Sequence, residues 1–402
     1  MSGTSWAEAR AAAWRLGRDF RRAPTRVALE DAVGRVAAEP VAALVPLPTA
    51  SVSAMDGWAV AGQPPWRVGT SVAMGSAPAE TPLAPSTARP LTTGAPVPAG
   101  TDGVLRSEHG DVHTGTDGAL WLHRALTAGP AEPARLAHVR LRGEEIDAGT
   151  PILSDGALIT PGRAALAAAC GIDTVLVRVR PGVSALVTGN EVISQGIPTA
   201  GSVRDALGPI LPHLVTGAGG TFLSRRRVAD TLSDTTAAIQ SAAGDLLVTT
   251  GGSSRGETDY VRRALLRTGR VVVDGVRMRP GHPVLLGRAR SGRPVLALPG
   301  NPLAAVVCFA SFGVPLIRGM LGLAEEPLPG IDVPDLPAEV TASAARGQTV
   351  IVPFRRDGGI PVVSPWRGSA MLRGLADADG FLAVEATGDG TAPRVSLLDL
   401  PW

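Results

Sequence analysis

From residue 182 to residue 321 the sequence alternates short apolar runs with stretches of helical period, and no other feature narrows the fold as far. Runs at 183–187, 222–228, 246–248 and 271–273 predict strands, and 203–214, 231–243 and 260–268 predict helices between them. Two further strands, 284–286 and 295–298, flank a turn at Ser291-Gly292, and an apolar helix follows over 303–321. Such alternation implies an α/β fold with a mostly parallel sheet and helices on both faces, whose ligands bind at the carboxyl ends of the strands. One strand end stands apart. After 246–248 the chain reads Gly251-Gly252-Ser253-Ser254-Arg255-Gly256-Glu257-Thr258-Asp259 before the helix at 260–268 closes at Gly269. A strand that turns through glycines into a helix leaves backbone N–H groups pointing at one spot, where the helix dipole also favours negative charge. A bare Gly-Gly would read as an ordinary tight turn. Glu257 and Asp259 just beyond it, with Arg279-Pro280-Gly281-His282-Pro283 and Leu298-Pro299-Gly300-Asn301-Pro302 downstream, argue instead for an anion cradle.

At 402 residues the chain is too long for one ordinary domain. Ser5 with Glu8 makes a capping box, and Ala9, Ala13, Leu16 and Phe20 then recur at helical spacing. A second helix is expected over 29–38, ending before Pro40. Residues 46–138 are rich in proline and glycine with short apolar runs, which predicts a β-rich insertion. Helical pattern returns at Thr160-Pro161 and stops at Gly171, and a strand is expected at 175–179. Residues 325–330 read as a linker, and 337–402 as a small β-domain. The expected division is therefore 1–45 with 139–180 as a helical piece, 46–138 as the insertion, 181–324 as the α/β domain and 325–402 as the C-terminal domain.

Basic and acidic residues number 38 and 36, with no basic run, so the chain lacks the electrostatic footprint of a nucleic-acid binder. Every one of the 38 is arginine, a planar fork where lysine is a point charge. Cys170 and Cys308 lie in apolar helical patterns and imply neither a disulfide scaffold nor a zinc site. The N-terminus lacks a basic segment followed by an apolar core, and no uninterrupted apolar run reaches bilayer length. A cytoplasmic protein without a membrane partner is expected.

No nucleophile-plus-base signature is present. The six histidines are scattered, and only His282, held between Gly281 and Pro283, sits in a rigid loop. What remains is a set of carboxylates at turns: Asp56, Glu144 and Glu145, Glu191, Asp205 and Asp259. Oxygen ligands of this kind suit magnesium, which takes one or two carboxylates and completes its shell with water and phosphate. Singly, each has a structural explanation; Asp205 and Asp259 fall in first turns of expected helices, where the dipole stabilises an acid. Jointly, around a glycine cradle, they point to function. The loop Thr93-Gly94-Ala95-Pro96-Val97-Pro98 fixes a threonine hydroxyl at its mouth, which suits a ligand-facing wall and a packed surface loop equally.

Several motifs in one order carry a resemblance. Ser-Ala-Met-Asp-Gly-Trp-Ala at 53, Thr-Gly-Ala-Pro-Val-Pro-Ala-Gly-Thr-Asp at 93, Arg-Gly-Glu-Glu-Ile at 142, Thr-Gly-Asn-Glu-Val at 188, Gly-Gly-Ser-Ser-Arg-Gly-Glu-Thr-Asp-Tyr at 251, Arg-Pro-Gly-His-Pro at 279, Leu-Pro-Gly-Asn-Pro at 298 and Gly-Ser-Ala-Met-Leu at 368 resemble the molybdopterin molybdenumtransferase family. The resemblance implies four parts: a helical piece, a β-rich insertion, an α/β molybdopterin-binding domain and a C-terminal β-barrel-like domain. It implies a homodimer with its active site between the α/β domain of one subunit and the β-rich domain of the other, and contact with a molybdopterin adenylyltransferase. The implied substrates are molybdate and adenylated molybdopterin, and the implied cofactor is Mg2+, with release of AMP. By this resemblance Asp56, Glu145, Glu191 and Asp259 organise magnesium and water, with Glu191, Asp205 and Asp259 as metal ligands. Arg279 and His282 hold the molybdate dianion, and Thr93, Gly251, Gly252, Ser253, Gly256 and Ser369 bind the pterin or nucleotide.

The sequence departs from the family pattern at informative places. Lysines usual to the motif are Arg279 and His282; an arginine keeps the charge, whereas a histidine ordinarily loses it near neutrality. The usual acid pairs appear as Glu144-Glu145 and Asn190-Glu191, the usual asparagine is Leu207, and the usual serine is Ala304. These losses keep two alternatives open: a non-catalytic molybdopterin-binding or scaffold paralogue, and a molybdopterin adenylyltransferase, which would leave the insertion and the C-terminal domain without a role.

Overall fold

All five residues of the strand Leu246–Thr250 are buried, as are those of Pro294–Leu298, and a strand is dry on both faces only inside a layered α/β unit. The computed structural model describes residues 3–79, 81–253, 256, 259–325, 327–387 and 392–402. Ser254, Arg255, Glu257 and Thr258 of the glycine loop, and Glu326 of the expected linker, lie outside them. Contacts divide the chain into two units, Met1–Thr25 with Val177–Trp402, and Arg26–Leu176. The division cuts through the expected 1–45 and 139–180 segments.

The first unit is built on a six-stranded sheet in the order Thr221–Arg227, Gly182–Val187, Leu246–Thr250, Pro294–Leu298, Leu285–Ala289, Gly269–Asp274. The first four strands are parallel and the last two pairings antiparallel, because Leu285–Ala289 and Pro294–Leu298 form a hairpin about Ser291-Gly292. Helices Leu232–Ser241 and Tyr260–Thr268 set Ala238, Ile239, Val261, Ala264 and Leu265 on Leu186, Leu247, Val295 and Ala297. The alternating residues Ala185, Leu246, Val248, Leu296 and Leu298 are buried on the opposite face, as the two-residue period of a strand requires. Helices Leu211–Gly217 and Pro302–Cys308 also contact this sheet.

The expected helix 203–214 is corrected: helix begins only at Leu211. Val203–Arg204 pairs with Val192–Ile193 instead, and the Asp205 carboxylate accepts from the N–H groups of Leu207 and Gly208 at 3.1 and 2.7 Å. A short acid that bonds its own backbone offers the chain an alternative to helix, and here that alternative wins.

Residues 302–320 form one apolar helix with a π turn at Phe309–Gly313. By length and composition it could cross a membrane, although Arg318 interrupts its apolar run, and 89% of it is buried inside the structure. It is the core helix of this unit. Its π turn has a cause: Pro315 has no N–H for the Ser311 carbonyl, and the Arg10 guanidinium donates to that carbonyl at 3.1 Å. Arg10 belongs to the first helix, Trp6–Arg18, which starts with the expected Ser5–Glu8 capping box and packs against Val314–Met320. The two helices cross where Gly17 faces the Leu316 carbonyl and Gly319 faces that of Trp14, so their backbones touch.

Toward the C-terminus Met278–Arg279, Thr349–Asp357, Gly380–Glu385 and Arg394–Leu398 make a sheet, with Ile360–Val363 also on Thr349–Asp357. Among the described residues no pairing joins its two edges. Its core is Val350, Val352, Phe354, Leu382, Val384 and Val395, covered by Val340 and Ala344 of the helix Ala338–Ala345.

The second unit holds a separate six-stranded sheet in the order Gly103–Arg106, Gly57–Ala61, Thr87–Leu91, Trp66–Val68, Leu120–Arg124, Gly110–Thr114. Val60, Trp66, Ala88, Leu105 and Leu122 fill one core cluster on it. The helix expected at 29–38 is only a 3-10 turn, Glu30–Ala32. Gly34 and Ala37 donate to the carbonyls of Ile159 and Ala157 at 2.8 Å each, so this segment exchanges its backbone bonds with a neighbour rather than with itself.

Candidate functional site

The parallel strands Gly182–Val187, Leu246–Thr250 and Pro294–Leu298 all end at one cleft of about 710 Å³. Of the residues singled out in the sequence, Glu191, Asp205, Gly251, Gly252, Ser253 and Asp259 line it. The cradle is narrower than the sequence suggests, because the Gly251 N–H is spent on the Leu298 carbonyl at 3.0 Å. The N–H groups of Gly252 and Ser253 have no partner among the described residues. Gly251 and Gly252 hold φ of +88° and +67°, and a Cβ on either would lie 2.8 Å from Thr188 Oγ1 or Val261 Cγ2. Only glycine lets the strand end turn this tightly beside the helix.

Two helices begin at the cleft. Asp259 precedes Tyr260–Thr268 but does not cap it; its carboxylate accepts from the Gly256 N–H at 2.6 Å, which ties Gly256 to the site. Asn301 precedes Pro302–Cys308. There the Ala304 N–H donates to the Ser369 carbonyl at 3.0 Å and Asn301 Nδ2 donates to Ser369 Oγ at 3.3 Å. Ser369 is thus a support of the helix start, and its neighbour Ala370 lines the cleft.

The carboxylates divide by what they already hold. Glu191 is exposed at the rim with no hydrogen bond from its side chain among the described residues. Asp205 is nearly covered, with Oδ1 accepting two N–H groups and Oδ2 3.7 Å from Arg225 Nη1, so it fixes a turn instead of waiting for a metal. Asp230 was not singled out in the sequence, where it lacks any motif. It lines the cleft and accepts from the N–H groups of Gly189 and Asn190 at 3.0 and 2.8 Å, occupying that amide pair itself. Arg227 Nη2 donates to the carbonyls of the same two residues at 3.2 Å. We predict that Asp230→Ala speeds hydrogen exchange at the Gly189 and Asn190 amides at least about tenfold, since bonds to a charged acceptor are among the stronger ones. Unchanged protection would remove Asp230 from this role.

Arg279 and His282 are exposed and do not line the cleft, although Pro283 does. His282 Nδ1 lies 2.7 Å from the Val276 carbonyl, which orients its ring. Arg204 is the one basic residue lining the cleft among the described residues, and its Nη1 donates to the Gly196 carbonyl at 3.0 Å.

Asp56, Thr93 and Glu145 belong to the second unit. Asp56 Oδ1 accepts from the Thr93 N–H at 2.6 Å and from Thr93 Oγ1 at 3.0 Å, so two separate motifs form one corner. The backbone N–H, then the hydroxyl, hold the Asp56 carboxyl below its ordinary value of 3.8. A depressed carboxyl favours the folded corner above the ordinary range and loses that contribution as pH falls through its own, lower, value. An NMR titration of Asp56 should therefore find a midpoint below 3.8, and Thr93→Val should move it back up. Glu145 is exposed, 3.6 Å from Arg140.

With the site in view, comparison with known proteins places the chain. The family described as MoeA N-terminal region (domain I and II) matches residues 4–171, and that described as probable molybdopterin binding domain matches residues 184–319. Molybdopterin molybdenumtransferase 2 of Mycobacterium tuberculosis is 32% identical over 380 residues, 90% of this chain and 91% of that protein. Molybdopterin molybdenumtransferase of Synechococcus elongatus is 32% identical over 325 residues, 75% of this chain and 77% of its own. The crystal structure of the molybdopterin biosynthesis MoeA protein from Pyrococcus horikosii superposes with a TM-score of 0.77 over the whole of both chains at 24% identity, a likeness of fold. By sequence over nine-tenths of its length, and by fold, the chain belongs to the molybdopterin molybdenumtransferase family.

Proposed function

We propose that this protein inserts molybdate into adenylated molybdopterin and releases AMP, a step of molybdenum cofactor biosynthesis. The observation that carries the reading is the cleft at the carboxyl ends of three parallel strands, where the Gly252 and Ser253 amides and two helix starts meet Glu191 and Asp259. The amides and the positive ends of the helices suit the phosphates of the pterin nucleotide. Arg204 adds the guanidinium fork that oxyanions accept in two parallel bonds.

Four carboxylates against one guanidinium would repel an anionic nucleotide, so the cleft fits an Mg2+ ion as counter-charge. Magnesium takes one or two carboxylates and completes its shell with phosphate and water. Glu191 and Asp259 are the residues that would hold it; Asp205, committed to its turn, positions the rim. When bound, the ion supplies charge neutralisation at the phosphates. The chain's own residues bind and orient the nucleotide and keep it still against the molybdate, so catalysis is mainly positioning. The Asp56–Thr93 corner and Glu145 take part in a homodimer, in which they come from the second subunit, and the four-part division expected from the sequence describes that assembly. Contact with a molybdopterin adenylyltransferase would hand over the substrate without release.

The test is incubation with adenylated molybdopterin, magnesium and molybdate, followed by AMP release and activation of an apo-molybdoenzyme. Molybdate-dependent AMP release is expected. Tight pterin binding without AMP would favour the scaffold paralogue, a reading supported by the substitutions at Asn190, Leu207 and His282, and adenylated pterin formed from ATP would favour an adenylyltransferase. If Arg279 and His282 hold molybdate, His282→Lys raises molybdate affinity at pH 8, where an ordinary histidine is uncharged. Unchanged affinity there would assign the oxyanion to Arg204.

A further inference from the structure

The strand Gly182–Val187 runs into a turn, Thr188-Gly189-Asn190, that delivers Glu191 to the cleft. That turn is held from one side by the neighbouring strand Thr221–Arg227, because parallel pairing sets Arg227 directly beside Val187. Two opposite charges take its peptide groups. Arg227 Nη2 donates to the Gly189 and Asn190 carbonyls at 3.2 Å each, and the Asp230 carboxylate accepts from the N–H groups of the same residues at 3.0 and 2.8 Å. A cation on the carbonyls and an anion on the amides make all of these bonds charge-assisted.

Asn190 closes the arrangement. Its N–H donates to Asp230 Oδ2 at 2.8 Å and its Oδ1 accepts from the Asp230 N–H at 3.4 Å, so residues 190 and 230 exchange backbone-to-side-chain bonds in both directions. The side chain at 190 therefore has to be an acceptor, and it has to be neutral. A carboxylate in its place would set a second negative charge against Asp230.

What the turn carries is Glu191. Gly189 holds φ of +109°, and a Cβ on it would lie 2.8 and 3.0 Å from the two Glu191 carboxylate oxygens, so the carboxylate rests on the turn itself. The Glu191 side chain has no hydrogen bond of its own among the described residues, and its aim comes from the backbone on either side. Beyond it the Glu191 carbonyl accepts from the Val203 N–H at 2.9 Å. We propose that Arg227 and Asn190 are positioning residues for Glu191: with Asp230 they lock the turn, so that an exposed carboxylate keeps one direction, toward a divalent cation in the cleft. The inference rests on the magnesium role given to Glu191 above, and its test is therefore read without turnover.

Mn2+, standing in for Mg2+, is titrated into the full-length protein with AMP present, and its binding is read from water-proton relaxation. Hydrogen exchange at the Val192 amide, which donates to the Gly189 carbonyl at 3.1 Å, reads the turn itself. Arg227→Met, which keeps an unbranched stem and removes the donors, should weaken Mn2+ binding at least about tenfold and speed that exchange. Asn190→Asp and Asp230→Asn should each weaken Mn2+ binding as well. Their double variant should bind at least about threefold more tightly than the two losses added together predict, because like charges no longer face each other. Unchanged Mn2+ affinity in Arg227→Met, with exchange at Val192 raised, would make the bonds merely structural and overturn the proposal. So would additive losses in the double variant, or tighter Mn2+ binding in Asn190→Asp, which would mark residue 190 as a missing ligand. Absence of Mn2+ binding in the wild type overturns it too, whether or not AMP is released. The predicted pattern in a wild type that releases no AMP would leave the positioning in place and remove the reaction instead.

Discussion

Glu191→Gln and Asp259→Asn should each lower the rate of molybdate-dependent AMP release by about a hundredfold or more, the usual loss when one preorganised electrostatic group is removed from a reacting site. The two carboxylates reach the cleft from different strand ends, Glu191 after Gly182–Val187 and Asp259 after Leu246–Thr250, so both substitutions act on one charge cluster from opposite sides. Their losses should not add in the double variant, because groups that act as a unit fail together. Melting temperature should be unaffected in Glu191→Gln, whose side chain is exposed and makes no bond that folding needs. Asp259→Asn is expected to loosen Gly256 as well, since the carboxylate holds that N–H at 2.6 Å. Asp205→Asn separates position from chemistry: it weakens the turn at Leu207 and Gly208 and should affect substrate affinity more than the rate at saturation. Full activity in Glu191→Gln with saturating substrate would exclude the cleft as the place of reaction.

The largest effect on stability is expected from Gly319→Val. A Cβ at residue 319 would fall inside the shell of the Trp14 carbonyl oxygen, and one at residue 17 would meet that of Leu316. Both obstacles are backbone, so no rotamer change relieves them, and the first helix must leave the core helix to make room. Overpacking of this kind costs typically 1–3 kcal/mol, and about 3 kcal/mol is expected here because two helices have to separate. The consequence extends beyond the crossing. Displacing Trp6–Arg18 removes the Arg10 guanidinium from the Ser311 carbonyl at the π turn and Trp14 Nε1 from the Leu323 carbonyl at 2.9 Å. Chemical denaturation of the variant should show its midpoint shifted down, with Gly319→Ala intermediate. An unchanged midpoint in the valine variant would mean that the two helices are not packed backbone to backbone.

The parts of this fold that were legible in the sequence are those where local chemistry and tertiary packing agree. The helix expected at 260–268 is Tyr260–Thr268, because Val261 and Leu265 give it a buried stripe and glycines stand before and after it. Thr160 caps Pro161–Ala169, and Ser5 with Glu8 opens Trp6–Arg18, each through side-chain bonds that short-range pattern encodes. Where a side chain or a distant strand competes for the backbone, the pattern misleads. Helical spacing at 203–214 hides Asp205, whose carboxylate takes the Leu207 and Gly208 amides, and spacing at 29–38 hides Gly34 and Ala37, which donate to Ile159 and Ala157. Neither competitor can be read from a window of the sequence.

The cleft shows the same division. Glycines and acids just past strand ends were recognisable from type and position, and Glu191, Gly251, Gly252, Ser253 and Asp259 do line one cavity. Asp230 lies in no glycine-flanked turn motif, and only the parallel pairing of Gly182–Val187 with Thr221–Arg227 brings it to Gly189 and Asn190. Arg279 and His282, which the resemblance singles out in a Pro-Gly loop, do not line the cavity, whereas Arg204 does. Which cation faces the cavity depends on how that loop leaves the sheet, and nothing local in the sequence reports it.

The account turns on one cleft gathering nucleotide, molybdate and counter-ion at the strand ends. An anomalous-difference map at the molybdenum edge, from crystals soaked in adenylated molybdopterin, magnesium and molybdate, tests this most directly. A molybdenum peak inside the cavity bounded by Glu191, Ser253 and Asp259, lost in crystals of Glu191→Gln, is the predicted result. A peak on another face of the protein, with that cavity empty, would contradict it.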